Sequence, residues 1–248
     1  RIGRALLRDE LDIHLQPQVD CGTNRCASVE ALLRWQDRGE WVPPMMTITA
    51  IERAGLRSAF NRWLIQRTFR CLKELDAQDI RINYSINLTA ADVHDPELAD
   101  LLGQALSTWE VDSERITLEI TETAMVRETA ETQHNLRRLK ALGVRLSLDD
   151  FGTAYSTMSY LRHMPIDELK IDQIFVQRLN ESEKDREIVI SMIRLAHQLK
   201  LVVLAEGVES ESICETLRLL ECDVIQGYYF SPPLAQTDFV AWWKQRTT

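Results

Sequence analysis

The 248-residue sequence has little of what marks several specialised classes of protein. It has no apolar run near the ~18 residues that a membrane span needs, and no stretch with the pattern of a signal peptide. Nine Gly and seven Pro are too few for a chain built from flexible linkers. The five His residues form no His-x-x-x-His pair, so a common signature of zinc hydrolases is missing. With 45% hydrophobic and 27% charged residues, the composition is that of a globular protein.

Charge and cysteine content narrow the class further. A count of 29 Lys and Arg against 38 Asp and Glu gives a net charge of −9, which argues against a nucleic-acid polymer as partner. A negative chain still binds a phosphate ligand when metal ions lie between its carboxylates and the phosphate. Five cysteines, an odd number without two pairs at zinc-ligand spacing, predict reduced thiols in a cytoplasmic protein.

The chain begins with Arg1 instead of Met. We therefore expect residues 1–248 to be a single cytoplasmic domain from a longer, multidomain signalling protein. A regulatory or sensor domain, and any membrane anchor of the full-length protein, would then lie outside this sequence.

Short β-branched runs alternate with longer amphipathic stretches, a pattern typical of parallel β-α units. Dividing 248 residues among eight units gives 31 residues each, which suits a (β/α)8 barrel of ~250 residues. The sequence therefore predicts an α/β fold, a (β/α)8 TIM-like barrel, and Gly143 is predicted to end one helix. The predicted strands are 12–19, 28–35, 81–88, 115–120, 144–149, 168–171, 201–205 and 223–226. The predicted helical stretches are 58–76, 95–109, 125–142, 184–200 and 210–220.

Polar and apolar residues occupy opposite faces of several predicted strands. Side chains alternate with a period of two along a strand, so one face of each strand is apolar and the other polar. We expect the apolar faces to meet the outer helices and the polar faces to point into a shared interior. The predicted inward residues of three strands are Asn83, Ser85 and Asn87; Thr117, Glu119 and Thr121; and Arg145, Ser147 and Asp149.

Polar side chains also close six predicted strands. Any one of them has an ordinary explanation: Asp149-Asp150 can be a plain turn, and Glu122 can cap the next helix. Turns favour Gly, Pro, Asn, Asp and Ser, however, and not Glu or Lys. Active sites of (β/α)8 barrels are built from the carboxyl ends of several strands. The six strand-end residues are Asn87, Glu119, Asp149, Lys170, Glu206 and Gln226.

The acidic residues among them are oxygen donors, with no thiolate or imidazole, and such ligands suit Mg2+ or Mn2+. Two ions about 3.5–4 Å apart, bridged by a shared Asp and a water, would use this many carboxylates and would hold a phosphoryl group. Lys170 would orient the attacking hydroxide or stabilise the charge that develops on phosphorus. For an isolated Lys, a structural salt bridge is the alternative interpretation.

Seven motifs follow one another from Glu30 to Tyr228, after an early Gln16-Pro17, and the resemblance they carry runs from about Leu6 to Trp243. Through them the chain resembles the EAL domain, the cyclic di-GMP phosphodiesterase family of bacteria, whose name the first motif carries. The motifs are Glu30-Ala31-Leu32-Leu33-Arg34-Trp35, Ile86-Asn87-Leu88-Thr89, Leu118-Glu119-Ile120-Thr121-Glu122, Leu148-Asp149-Asp150-Phe151-Gly152-Thr153, Leu169-Lys170-Ile171-Asp172, Ala205-Glu206-Gly207-Val208-Glu209 and Gln226-Gly227-Tyr228.

The resemblance implies hydrolysis of cyclic di-GMP to linear pGpG, with two Mg2+ or Mn2+ ions as cofactors. It implies a barrel with one antiparallel strand, the one that bears Glu30. The implied ligands of the first ion are Glu30, Asn87, Glu119 and Asp149, and those of the second are Asp149, Asp150 and Glu206. The implied catalytic residues are Lys170, Glu206 and Asp149, and the implied substrate contacts are Gln16, Arg34, Asp150 and Gln226.

The resemblance also implies a homodimer, in which Glu122 anchors the loop after strand 144–149 and this loop links the site to the dimer interface. Ala154 stands in that loop where the family usually has Gly. If the position needs a positive φ, Ala154 adds strain of ~1 kcal/mol or more. We therefore expect Ala154 to affect loop motion and dimer coupling, and not the ligand set.

Three other functions compete with hydrolysis. A degenerate family member would bind cyclic di-GMP as a receptor without cutting it, but receptors of that kind typically lose metal ligands, and all are present here. An unrelated Mg2+-dependent barrel enzyme, such as a lyase acting on a carboxylate, would not need the ordered motifs. A purely structural or partner-binding module would not need so many interior charges.

Overall fold

The computed structural model describes residues 1–8, 10–125, 129–153, 161 and 164–247. The strands within these residues are β1 (Leu11–Asp20), β2 (Cys26–Asp37), β3 (Glu40–Val42), β4 (Asn83–Leu88), β5 (Ile116–Thr121), β6 (Arg145–Phe151), β7 (Glu168–Ile171), β8 (Val202–Ala205) and β9 (Val224–Gln226). The helices are α1 (Ile2–Ala5), α2 (Pro44–Arg53), α3 (Arg57–Asp76), α4 (Ala90–Val93), α5 (Leu98–Trp109), α6 (Glu122–Met125), α7 (Ala130–Ala141), α8 (Gln173–Val176), α9 (Glu183–Gln198), α10 (Glu211–Leu219) and α11 (Gln236–Thr247).

Eight of these strands close into a barrel. The sheet order is β1-β9-β8-β7-β6-β5-β4-β2, and pairing of β1 with β2 joins its two ends. The additional strand β3 pairs with the far end of β2. The predicted (β/α)8 architecture and all eight predicted strands are therefore confirmed.

The reversed strand is not the one that was expected. β2, which bears Glu30, runs parallel to β4, whereas β1 runs antiparallel to both β2 and β9. The assignment of the antiparallel direction to the strand of Glu30 is therefore wrong, and the reversed strand is β1, which bears Gln16. The reason is the short connection 21–25, which joins β1 and β2 as a hairpin and forces them to run in opposite directions. Glu30 lies early in β2 because this strand continues past the barrel, where residues 35–37 pair with β3.

The predicted strand phase is confirmed where side chains can be followed. On β4, Tyr84 is fully buried against the outer layer, with its hydroxyl 3.6 Å from the Cys71 Sγ of α3. Ser85, the next residue, is buried on the inner side of the same strand. Alternation therefore places an apolar layer between strands and helices and a polar layer inside the barrel.

Several helices begin where a short polar side chain accepts a backbone hydrogen bond. Ser182 Oγ accepts from Asp185 N at 3.2 Å before α9, and Thr129 Oγ1 accepts from Thr132 N at 3.1 Å before α7. Such N-caps satisfy amide groups that the helix itself leaves without a partner. The cap at Thr129 is the reason why α7 begins later than the predicted stretch 125–142.

The strand β3 and the helices α2 and α11 were not predicted, and neither were the four-residue helices α1, α4, α6 and α8. Pro43 and Pro44 by themselves indicate a loop. Pro44 is nevertheless the first residue of α2, where the missing N–H of proline leaves no helical hydrogen bond unmade. The predicted stretch 95–109 is in fact a helix over Leu98–Trp109, preceded by the separate short helix α4. No helix in the described ranges is both long and apolar enough to cross a bilayer.

Gly143 follows the C-cap Leu142 of α7 with φ +90°, as expected for the glycine predicted to end this helix. A Cβ at this position would lie 2.5 Å from Ser113 Oγ, so both the backbone conformation and the local space require glycine. Gly55 also has a positive φ, +66°, but a Cβ there meets nothing within 4 Å.

We predict that Gly143→Ala lowers the free energy of unfolding by about 2 kcal/mol, because left-handed strain of ~1 kcal/mol adds to overpacking. The matched control Gly55→Ala carries the strain alone, and we expect a loss of about 1 kcal/mol. Urea denaturation of both variants measures the difference. Equal losses of unfolding free energy in the two variants would show that contact with Ser113 does not restrict the residue at position 143.

Candidate active site

A buried lysine lies among carboxylates at the carboxyl ends of the barrel strands. Lys170 of β7 is fully buried, and its Nζ lies 2.7 Å from Glu119 Oε2 and 2.7 Å from Glu206 Oε1. Asp149 Oδ1 lies 3.1 Å from the same nitrogen, and Glu30 Oε2 lies 4.0 Å from it. Strands β2, β5, β6 and β7 and the residue that follows β8 therefore direct their polar side chains to one point.

One ammonium group does not neutralise four carboxylates, and the pKa values show the imbalance. Burial disfavours the charged form of Lys170, but attraction to Asp149, Glu119 and Glu206 outweighs it and holds the pKa of Lys170 well above its ordinary value. Burial raises the pKa of Glu206 to about 7, against the attraction of Lys170. Burial likewise raises the pKa of Glu119 well above its usual range. The metal-free cluster therefore retains protons that a divalent cation would displace.

A β-bulge brings two adjacent aspartates into the site. The pairing of β6 with β7 shifts register between Leu148 and Phe151, and Asp150 within this step has φ +56°. Bulges change the direction of side chains, and Asp tolerates the left-handed region better than most residues. Asp150 N donates to Asp149 Oδ1 at 3.0 Å. Burial, followed by repulsion from Asp149, raises the pKa of Asp150 to about 6.

Side-chain amides hold both oxygens of the Glu30 carboxylate. Asn87 Nδ2 of β4 donates to Oε1 at 2.5 Å, and Gln226 Nε2 of β9 donates to Oε2 at 2.6 Å. Gln226 Nε2 also donates to Gln16 Oε1 at 3.1 Å, and its own Oε1 accepts from Gln18 Nε2 at 2.9 Å. The orientation of Glu30 is thus fixed from both sides before any ligand binds.

The donor set fits a divalent cation. Single oxygens of Asp149, Asp150 and Glu206 lie within 4.8 Å of one another, close enough to share one ion. Within the described residues, the buried Glu119 Oε1 has no hydrogen-bond partner, so one acceptor of the cluster lacks a donor. Carboxylate oxygens are the ligands that Mg2+ and Mn2+ prefer.

The cluster opens into a cleft of about 490 Å³. Among the residues predicted from sequence, the cleft is lined by Gln16, Glu30, Asp149, Glu206 and Gln226. The residues that sequence reasoning had not proposed for it are Leu32, Gln173, Gly207, Glu209, Gly227 and Tyr228. Several of these residues belong to the quoted motifs, so the motifs could have identified them as cleft residues.

Two predicted residues lie beside the cleft. Arg34 is half-buried on the Glu30 face of β2, with Nη1 donating to the Leu33 carbonyl at 2.8 Å. Glu122, which is buried, accepts a hydrogen bond from Gly152 N at 3.0 Å through Oε2. Ala154 lies outside the described residues. Gln18, which orients Gln226, was not predicted, although it shares the strand phase of Gln16.

Comparisons with known proteins agree with this architecture. The family model described as "EAL domain" matches residues 1–233. The oxygen sensor protein DosP of Escherichia coli is 36% identical over 244 residues, which cover 97% of this chain and 30% of that protein. The cyclic di-GMP phosphodiesterase NbdA of Pseudomonas aeruginosa is 36% identical over 235 residues, 94% of this chain and 30% of NbdA.

A solved structure gives the same result in three dimensions. The PaMucR phosphodiesterase, in complex with c-di-GMP, has a TM-score of 0.90 at 32% identity, covering 96% of this chain and 97% of that one. The chain spans about a third of the length of the curated relatives it matches. From the family match, the sequence identities and the barrel geometry together, the chain belongs to the EAL domain family.

Proposed function

We propose that this chain is a metal-dependent phosphodiesterase that hydrolyses cyclic di-GMP to linear pGpG. The observation that carries the proposal is the convergence of Glu119, Asp149 and Glu206 on the Lys170 ammonium, beside the amide-held carboxylate of Glu30. A receptor that only binds a dinucleotide does not need a buried acidic cluster of this kind. The named activity of NbdA and the c-di-GMP bound to PaMucR support the same substrate.

Two groups of residues would hold the ions. Glu30, Asn87, Glu119 and Asp149 are proposed for one Mg2+ or Mn2+ ion. Asp149, Asp150 and Glu206 are proposed for the second, with Asp149 as the shared ligand. When bound, the ions supply positive charge for the phosphate oxygens and lower the pKa of a bound water.

The protein's own groups would then serve the chemistry. The Lys170 ammonium donates a hydrogen bond to the attacking oxygen and so orients it, and its charge stabilises the negative charge that builds up on the phosphoryl group. A carboxylate of the cluster, Asp149 or Glu206, accepts the water proton. A P–O bond forms to the water oxygen, the bond from phosphorus to the ribose 3′ oxygen breaks, and that oxygen takes up a proton. Gln16, Arg34, Asp150 and Gln226 are proposed to contact the substrate or its waters.

Binding without hydrolysis is the competing function. It would use the same cleft, and the 36% identity of the chain to NbdA does not decide between the two. Incubation with cyclic di-GMP and Mg2+ or Mn2+, with nucleotide chromatography as the readout, separates them.

The proposed working state is a homodimer with a regulatory domain in the same polypeptide, on the cytoplasmic side of the cell. The greater length of the relatives is consistent with further domains. The contact from Glu122 to the backbone of Gly152 supports a coupling role for the loop after β6. Sedimentation analysis of the wild type and of Ala154→Gly tests both the dimer and the proposed influence of Ala154.

We predict that the wild type converts cyclic di-GMP to pGpG with Mg2+ or Mn2+, and that a chelator abolishes the conversion. Ca2+ should support substrate binding with little or no turnover, because it prefers longer, looser coordination by six to eight oxygens. Chromatography and calorimetric binding measure the two effects. Binding without product across all metals and protein concentrations would instead establish the receptor.

We predict that Lys170→Met and Glu30→Ala fail in different ways. Lys170→Met should reduce turnover by a factor on the order of 10² or more while leaving substrate affinity in Ca2+ nearly unchanged, as for a contact made in the transition state. Glu30→Ala removes a proposed metal ligand, so both metal-dependent substrate binding and turnover should fall.

Thermal melts separate catalysis by Lys170 from a structural salt bridge. In chelator, Lys170→Met should melt at a lower temperature than the wild type, since the carboxylates lose their counter-charge. Excess Mg2+ should restore the melting temperature but not the turnover. A destabilised variant that retains wild-type turnover would overturn the catalytic role of Lys170.

We predict that the metal-free protein loses stability as pH rises from about 4 to about 7. The pKa values of Asp150, about 6, and Glu206, about 7, exceed their ordinary values of 3.8 and 4.5. The folded state therefore binds more protons than the unfolded state within this window, and stability falls as these protons leave. Thermal melts in chelator across this pH range test the trend. Glu206→Gln has no titrating carboxyl group at this position, so its stability should fall less steeply with pH. A slope that is unchanged in Glu206→Gln would assign the effect to other groups.

A further inference from the structure

Two aromatic rings meet on the face of β2 that carries Glu30. They lie further along this strand than the cluster of carboxylates around Lys170. His14 of β1 pairs with Leu32, and Trp41 of β3 pairs with Gln36, so the two aromatic residues flank β2 on opposite sides. Their ring centroids are nevertheless 5.6 Å apart, with an interplanar angle of 74°. Since β2 lies between the two strands, the rings must meet across one of its faces.

Strand register identifies that face. Directly paired residues on antiparallel strands point to the same side of the sheet, so His14 shares a face with Leu32, and Trp41 with Gln36. Glu30, Leu32 and Gln36 are separated by even numbers of residues and share that face too. The Glu30 and Leu32 side chains line the cleft. The rings of His14 and Trp41 therefore extend the wall of the cleft outwards along β2.

The distance from the cluster is short. At a rise of ~3.3 Å per residue, Leu32 lies about 7 Å along β2 from Glu30, and Arg34 lies about 13 Å from it. Trp41 reaches back over this part of the strand to meet His14, which is paired with Leu32. A nucleotide whose phosphate lies at the carboxylate cluster can therefore place its base beside the rings of His14 and Trp41.

The chemistry of the surface suits a flat aromatic ring beside an anion. Trp41 is 59% exposed, so much of its ring surface is accessible. Burial, together with the positive charge of Arg34, lowers the pKa of His14, which leaves the imidazole neutral at pH 7. The Arg34 guanidinium supplies positive charge that acts on the His14 ring. Aromatic stacking next to a cationic side chain is the usual way in which proteins hold nucleic-acid bases.

We propose that Trp41, supported edge-on by His14, is a stacking platform for a purine base of the dinucleotide. This subsite rests on the proposed function, because it needs a nucleotide whose phosphate is held at the metal cluster. It makes Trp41 a determinant of affinity and substrate choice and gives it no part in bond cleavage. The product pGpG carries the same bases, so the platform would slow product release as well as favour substrate binding.

The test compares Trp41→Ala, Trp41→Leu and Trp41→Phe with a matched control, Leu219→Ala, which removes another exposed apolar side chain (84% exposed) from the end of α10. Two substrates are used with each variant, cyclic di-GMP and bis(p-nitrophenyl) phosphate, which has a cleavable phosphodiester but no purine. Affinity for cyclic di-GMP is measured by calorimetry in Ca2+, KM and kcat in Mn2+, and integrity of the fold by thermal melts.

Trp41→Ala and Trp41→Leu should weaken cyclic di-GMP binding by about 5- to 150-fold, which corresponds to the ~1–3 kcal/mol of a base–aromatic stack. The loss should appear mainly in KM, and cleavage of bis(p-nitrophenyl) phosphate should fall much less, because its single rings offer less stacking surface than a purine. Trp41→Phe should retain most of the affinity, and Leu219→Ala should match the wild type.

Equal loss on both substrates, or unchanged cyclic di-GMP affinity in Trp41→Ala, would overturn the platform. Altered self-association of Trp41→Ala with unchanged nucleotide binding would assign the residue to a protein contact and overturn it too. A wild-type protein that binds cyclic di-GMP without cutting it would refute the proposed hydrolysis, yet the affinities of the Trp41 variants would still decide the platform. A wild type that neither binds nor cuts it would refute both.

Discussion

The ion cluster around Lys170 is the constraint on which the rest of the site depends. Its ammonium group is fully buried and lies 2.7 Å from both Glu119 and Glu206 and 3.1 Å from Asp149. Carboxylates gathered around one nitrogen in a low-dielectric interior repel one another, and the lysine is the counter-charge that makes their proximity tolerable. A single positive charge faces four carboxylates, and burial, followed by repulsion from Asp149 and Glu30, raises the pKa of Glu206 to about 7 despite the attraction of Lys170. The divalent ions proposed above would supply the missing charge, and their binding would then also order the site.

Backbone irregularities place the groups around this centre. The bulge of β6 directs two consecutive aspartates towards the same site, which regular alternation would send to opposite faces. The reversal of β1 brings Gln16 and Gln18 next to β9, where they hold the amide of Gln226. The amide of Gln226 in turn fixes Glu30. The site is therefore organised by a hairpin and a bulge, two departures from a regular (β/α)8 barrel.

The extension of β2 past the barrel lengthens the wall of the cleft, so that the cleft has an inner and an outer part. Strand β3 pairs with this extension and carries Trp41 over the face that Glu30 shares. The carboxylates lie in the inner part, where burial strengthens electrostatic interactions, and the exposed aromatic surface lies in the outer part, where solvent reaches it. A phosphodiester with bulky planar substituents matches this division better than a small anion does.

The sequence by itself determined the barrel and predicted that polar strand ends would meet at one place in it. Strand alternation, a 31-residue unit and polar strand ends were sufficient, because period-two patterning and active-site placement follow from backbone geometry that every such barrel shares. The tertiary structure decided what depends on contacts between distant segments. It showed that β1 and not the strand of Glu30 is reversed, since both directions give the same alternation of side chains. It also showed that Gln18 holds Gln226, 208 residues away, and that Trp41 meets His14 across an intervening strand. Local sequence carries no record of such pairings, because only closure of the barrel brings the partners together.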